Sequence, residues 1–335
     1  MPGKTITEKI FARSSNLESV VPGQFVYARP DMLVIVDPMW PAIKKSFDEI
    51  GTNRVWDPNK VAFVIDHCVP AGGSRQANSV AIHNDIREFV KAQGIEKFYD
   101  IGRQGISHQL AADKALALPG MLYVCDDGQG TSLGAFGSLA IPLSSEVAAV
   151  LAAGEHWFKV PETQLFTISG KLRGGVMARD VIQKIMTDLG PEGASYKMME
   201  FCGPTVSDMS IDERETLCNL VQIVGAKSAI INPDQKILDY LQSRTKREFT
   251  PTYSDSDAIY SEKFTYDVTN LEPLVAAPPD ALNTKPVSEL GHVEVNSAYI
   301  GSCTSGHIED LRIAAKILNG RKVKQGVRLF VVPSS

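Results

Sequence analysis

Asp66 and His67 stand side by side and are the first pair in the chain whose types suit acid–base chemistry. A histidine oriented by a carboxylate can donate a proton near neutral pH. The same pair also suits a plain structural hydrogen bond, and the residue types alone leave both readings open. His108 carries the same ambiguity. Asp127 opens the stretch Asp127–Gly128–Gln129–Gly130, which reads as a turn whose glutamine hydrogen-bonds but cannot ionise. Glu200 stands at a strand end before Cys202–Gly203, and its type leaves a site role and a structural role both open. Cys303, followed by Thr304, reads either as a small buried hydrophobe or as a metal ligand. The five cysteines are far apart in sequence and include no C-x-x-C, so neither a disulfide framework nor a local zinc site is expected. Cys68, Cys125, Cys202 and Cys218 are expected to be buried thiols. His83, His156, His292 and His307 are expected to be structural or exposed.

Positioning such residues requires regular elements, and the sequence offers them in alternation. Lys60–Asp66, Lys97–Ile101 and Met121–Cys125 read as strands, with a helix over Arg75–Gln93 ended by Gly94. Ser144–Ala153 reads as a small-residue helix. A second unit opens near Lys159–Pro161, with strands at Gln164–Ser169, Tyr196–Phe201 and Lys227–Asn232. Its helices are Met177–Leu189, Ser210–Val224 and Pro233–Leu241, the second opened by a capping box of Ser210 and Glu213. Residues 244–290, rich in Pro, Ser, Thr, Asp and Asn, read as a connection with little regular structure. A last unit follows: strand His292–Ile300, helix Ile308–Leu318, strand Val327–Val332. The alternation predicts an α/β protein with mostly parallel sheets flanked by helices.

Composition narrows the function. The 335 residues carry 44% hydrophobic and 22% charged residues, enough for a sizeable core. A net charge of -5 argues against a nucleic-acid partner. No apolar run approaches the roughly 20 residues of a membrane span, and the N-terminus has no apolar signal core. A reducing, cytoplasmic setting is expected.

Ordered motifs then give the chain a resemblance. Asp66–His67–Cys68–Val69–Pro70, Phe98–Tyr99–Asp100–Ile101–Gly102 with Gly105–Ile106–Ser107–His108–Gln109, and Trp157–Phe158–Lys159–Val160–Pro161–Glu162–Thr163 come first. Met209–Arg214 with Thr216–Asn219, and Ile300–Thr304 with Glu309–Arg312, complete the set. Together they resemble the aconitase and 3-isopropylmalate dehydratase large-subunit family over essentially the whole chain. The resemblance implies three aconitase-like domains, at 1–160, 161–270 and 271–335, the third incomplete. It implies a hydro-lyase acting on a small di- or tricarboxylate through a [4Fe–4S] cluster, with a swivelling domain supplied in the dehydratases by a small subunit. By the same resemblance Asp66, His67, His108, Asp127 and Glu200 are catalytic. Gln129, Asn219, Ser302, Thr304 and Ser305 bind substrate, and Cys303 is a metal ligand if a metal is bound.

The pattern is not followed throughout. The family's D-S-H-T reads Asp127–Gly128–Gln129–Gly130, so an ionisable histidine has become Gln129. The asparagine of G-S-C-T-N has become Ser305, and C-P-H reads Ala277–Pro278–Pro279. The other two cluster cysteines and the substrate-clamping arginines of the family lie beyond residue 335. The chain is thus a fragment, is completed by another polypeptide, or works without the cluster; the loss of the histidine inside the retained part favours the last. No cofactor, or a mononuclear metal, is expected rather than [4Fe–4S]. The expected partners are a small carboxylate and a swivel-domain subunit or a second copy of the chain. The other expectation is a catalytically silent homologue that binds a carboxylate or a partner.

Overall fold

The computed structural model describes residues 2–70 and 76–335. The first elements are α1 (Ile6–Ser14), β1 (Phe25–Ala28), β2 (Met32–Val36), α2 (Trp40–Ile50), β3 (Val61–Val64) and α3 (Gln76–Gln93). The expected start of that last helix at Arg75 lies outside the described residues. Next come β4 (Lys97–Tyr99), α4 (Ser107–Asp113), β5 (Leu122–Cys125), β6 (Leu139–Pro142), α5 (Val147–Ala153) and β7 (His156–Lys159). Strands β4-β3-β2-β5-β6 form one sheet, every neighbouring pair parallel. All five residues of β2 are buried, as suits a central strand covered on both faces. The chain builds outward from β2 through β3 to β4, then returns to lay β5 on the other side. The carboxyl ends of β2 and β5 therefore flank a topological switch point, where open parallel sheets leave a crevice.

The second set is β8 (Thr163–Ser169), α6 (Ala178–Leu189), β9 (Met198–Cys202), α7 (Pro204–Asp208), α8 (Ile211–Asn219), β10 (Ser228–Ile231), α9 (Gln235–Gln242) and β11 (Glu262–Asp267). Its parallel sheet runs β10-β9-β8-β11. The capping box forms as expected, with Ser210 Oγ accepting from the Glu213 amide and Glu213 accepting from the Ser210 amide. The helix it opens stops at Asn219, not Val224; Val221–Val224 tightens into a 3-10 turn before Gly225, whose positive φ ends it. Likewise α9 starts later than expected, because Asp234 rather than Pro233 accepts from the Ile237 amide as cap.

Residues 244–290 contain more structure than expected: β11, then the hairpin β12 (Leu274–Ala276) and β13 (Thr284–Pro286). In β11, charged residues alternate with Phe264 and Tyr266, whose rings lie 4.8 and 6.5 Å from that of Phe166. That period-two signal is short and sits between Ser- and Pro-rich flanks, which hid it. The last unit is β14 (Ser297–Gly301), α10 (Ile308–Leu318) and β15 (Arg328–Val332), with the two strands parallel. None of the α10 residues is buried, and Tyr299, Ile317 and Val331 are more than half exposed. Among the described residues no helix is long and apolar enough to cross a membrane.

Candidate active site at the strand ends

Three neighbouring strands each end in a carboxylate: Asp37 after β2, Asp66 after β3, and Asp126–Asp127 after β5. Because the strands are parallel, these groups share one edge of the sheet. His67 lies between two of them. Its Nδ1 is 2.6 Å from Asp66 Oδ1 and its Nε2 is 3.1 Å from Asp127 Oδ2. A neutral imidazole has one N–H, so donation to both carboxylates makes His67 an imidazolium. The bonds from Asp127 and Asp66 outweigh burial and raise its pKa to about 11.

Asp127 is shared. Its Oδ1 lies 3.2 Å from His108 Nε2 and also accepts the Gln129 amide at 2.8 Å. His108 Nδ1 lies 3.5 Å from Ser107 Oγ. Burial would raise the Asp127 carboxyl, but the bonds from His108 and His67 hold it well below the usual carboxylate range. Asp66 Oδ2 accepts the Ser107 amide at 2.7 Å. Asp66, His67, Asp127, His108 and Ser107 thus form a ring of contacts around the switch point.

The loop after β5 connects this ring to α8. Ser132 Oγ donates to the Gln129 carbonyl at 2.7 Å, and Asn219 Nδ2 donates to Ser132 Oγ at 2.6 Å. Cys303 Sγ lies 3.7 Å from Asn219 Oδ1. Burial pushes the Cys303 thiol up, with Asp127 adding to it and the Asn219 contact opposing it. Ser302 and Thr304 shape the turn that presents this thiol: their hydroxyls are 3.1 Å apart, and Ser302 takes a φ of 78°. Thr304 and Ser305 line a neighbouring cavity of about 490 Å³ between α10 and the helices α6 and α8.

Glu200 is not brought into this network. Its carboxylate accepts from Asn232 Nδ2, Ser254 Oγ and Tyr260 Oη at 2.6, 2.8 and 2.9 Å. Ser254 Oγ in turn accepts the Ile6 amide, so Glu200 ties α1 to the segment before β11. Burial raises its pKa. Cys125 and Cys218 are buried as expected, whereas Cys68 and Cys202 are partly exposed. His83, expected to be structural, is buried against Asp37. The sequence reading missed Asp37 and Asp126 altogether; the run Met32–Val36 closed by Asp37–Pro38 was the available signal.

Gly130 explains why a glycine follows Gln129. A Cβ there would sit 2.1 Å from Cys125 Sγ, itself buried and donating to the Asp127 carbonyl at 3.3 Å. Gly130→Ala is expected to cost about 1–3 kcal/mol as an overpacked site, read from denaturant midpoints. Adding Cys125→Ala should recover most of that loss. Simple additivity of the two changes would contradict the collision.

Two metal arrangements were tested against these residues. A [4Fe–4S] cluster needs thiolates around one point. Cys125 and Cys218 are packed in the core, Cys68 is partnered with Asp37, Cys202 pairs with Thr167 at 3.4 Å, and Cys303 meets Asn219, so each of the five thiols is packed or engaged at its own place in the fold. Asp37, Asp66 and His67 bring ligand atoms within 4.8 Å of one another, a group sized for a single ion. Asp37, however, already accepts four N–H bonds, and His67 Nδ1 is held by Asp66.

The profile of the Aconitase family (aconitate hydratase) matches residues 8–291 and 279–335. The chain is similar to the 3-isopropylmalate dehydratase large subunit of Halothermothrix orenii, at 41% identity over 334 residues. It is similar, at 41% and 42%, to the proteins named 3-isopropylmalate dehydratase large subunit 1 of Methanopyrus kandleri and Pyrococcus abyssi. Each alignment covers 99% of this chain and 79% of the relative.

Proposed function

Because the chain belongs to the aconitase family, we propose that it is a hydro-lyase or isomerase of a small di- or tricarboxylate, working through Asp66, His67, Asp127 and His108. The observation that carries this reading is Asp127 placed between two imidazoles, one of them, His67, an imidazolium held also by Asp66. In the resting ring His67 is too weak an acid for neutral pH. A hydroxy acid whose hydroxyl displaces Asp127 from Nε2 removes one of the two stabilising carboxylates. The imidazolium then becomes a stronger acid at the moment it faces the leaving hydroxyl. Asp66 keeps the ring oriented through Nδ1, and Asp127, freed from Nε2 but still held by His108, takes the carbon-bound proton; the C–O bond breaks, water leaves with the His67 proton, and the carbon–carbon double bond forms. Addition of water is the same path reversed. We infer that Gln129, Asn219, Ser302, Thr304 and Ser305 bind the substrate, a reading supported by the contacts that join Gln129, Ser132, Asn219 and Cys303.

We infer that this chemistry does not use a [4Fe–4S] cluster held by these residues. Anaerobic reconstitution followed by iron and sulfide counting should give well under one of each per chain. Stable binding of about four irons and four sulfides would overturn the inference. Gln129→His should not create an iron–sulfur dehydratase, since a histidine adds no thiolate.

The relatives' names mark them as large subunits, and we infer a second polypeptide for this chain as well, either a small subunit or another copy. The exposed apolar residues of β14, α10 and β15 favour such a partner. They also keep a second reading in play, a catalytically silent homologue that binds a carboxylate or a partner. Incubation with citrate, malate and aconitate analogues separates the two: hydration, dehydration or isomerisation of one of them is expected, and binding of a carboxylate without turnover would establish the silent reading.

A further inference from the structure

We propose that Asp37 and His83 form a positioning pair that sets the geometry of His67; the proposal deepens the reading of the site given above and rests on it for its catalytic meaning. Asp37 is fully buried at the end of the central strand β2. Its Oδ1 accepts the amides of Asp66 and His67 at 3.2 and 3.0 Å. Its Oδ2 accepts the amide of Cys68 at 3.0 Å and lies 3.1 Å from His83 Nε2. Three successive amides of one loop thus converge on a single internal carboxylate. Consecutive amides form an anion-binding concavity, and here the anion is built into the chain.

The electrostatics agree with this geometry. Burial alone would raise the Asp37 carboxyl, but the His67 amide, His83 and the amides of Cys68 and Asp66 together hold it below its ordinary value. An ionised Asp37 therefore acts as the template on which residues 66–68 are laid. His83 lies on α3, is 2% exposed, and joins the Cys68 thiol as a side-chain partner of this carboxylate. It fixes which way Asp37 turns. The frame extends one strand further, because both oxygens of Asp126 accept the Val36 amide, at 3.0 and 3.2 Å. Both carboxylates that flank His67 are consequently referenced to the end of β2: Asp66 through the amide cradle, Asp127 through its neighbour Asp126.

Neither Asp37, with no exposed surface, nor His83, at 2%, reaches the solvent from which a substrate would come, and both oxygens of Asp37 are engaged within the fold. Their role is positioning, and a spectroscopic readout separates it from bulk stability. Two-bond proton–nitrogen correlation spectra of the histidine rings in the full chain, at about pH 8, report which ring nitrogens carry protons. The His67 signals are identified by their loss in His67→Ala. In the parent protein both nitrogens of His67 should be protonated.

With His83→Leu, the His67 signals should shift toward the neutral form while the far-ultraviolet dichroism and a single cooperative thermal transition are kept. His83→Gln retains an N–H donor and should restore the parental signals. Asp37→Asn, nearly isosteric, turns an NH₂ toward amide N–H groups and should reproduce the shift. Unshifted His67 signals in both His83→Leu and Asp37→Asn would overturn the proposal, whatever reaction the protein performs. Loss of the fold in both variants would make the pair a structural element and would overturn it equally. Absence of turnover in the parent protein bears only on the catalytic reading and leaves the spectra to decide this one.

Discussion

His67→Ala is expected to lower turnover by about 100- to 10,000-fold, the usual worth of a positioned proton donor. Stability should change little, because the His67 side chain is 43% exposed and its removal opens no cavity in the core. Gln129→Ala should cost far less. Only hydrogen bonding is lost there, typically about 0.5–1.5 kcal/mol net, and the Gln129 amide that caps Asp127 belongs to the backbone and survives. Steady-state rates of the two variants on the same carboxylate are the check. A His67→Ala protein as fast as the parent would remove His67 from the chemistry.

Asp127→Asn should have an effect of similar size by a different route. The substitution keeps the shape of the loop but takes away the charge that both imidazoles face, at 3.1 Å for His67 and 3.2 Å for His108. His67 then has one flanking carboxylate, Asp66, and its pKa must fall from about 11 toward its ordinary value of 6.5. The sign of the stability effect follows from the raised pKa. In the parent, the His67 pair contributes stability that is fully present below about pH 6.5 and is lost as pH rises through about 11. Partial exposure of the ring lets solvent screen much of that energy. The variant should therefore lose a modest stabilisation, largest below about pH 6.5 and fading as pH approaches about 11, and its His67 should titrate at lower pH by nuclear magnetic resonance. Identical His67 titration in the two proteins would show that Asp127 does not govern it.

Much of this site was legible before the fold was known, and particular residues show why. Asp66, His67, His108, Asp127, Asn219 and Cys303 lie within or beside ordered motifs; Asp66, His67 and Asp127 follow strands of one parallel sheet, whereas His108 sits on α4, Asn219 ends α8 and Cys303 follows β14 of another sheet. The same reasoning put Glu200 in the site. A glutamate on a strand looks alike in sequence whether its carboxylate faces a cleft or, as here, is bound by Asn232, Ser254 and Tyr260. The last two of those partners come from residues 244–290, whose composition suggested a connection with little regular structure. Asp37 was overlooked because its sequence neighbours are ordinary core residues and three of its partners are backbone amides, which carry no side-chain signature. The fold class followed from the alternation of apolar runs and amphipathic stretches. Element ends did not, since caps such as Asp234 and turns such as Gly225 decide them.

The central claim is that the ring of Asp66, His67, Asp127 and His108 moves protons on a small carboxylate. Solvent deuterium exchange tests it most directly, because proton transfer at carbon is recorded even when net turnover is slow. Citrate, malate and aconitate analogues incubated with the protein in D₂O should include one that gains deuterium beside a carboxylate, at a rate reduced roughly 100-fold or more in His67→Ala. Exchange that proceeds equally well without His67, or a full panel that binds yet gains no deuterium, would contradict the account.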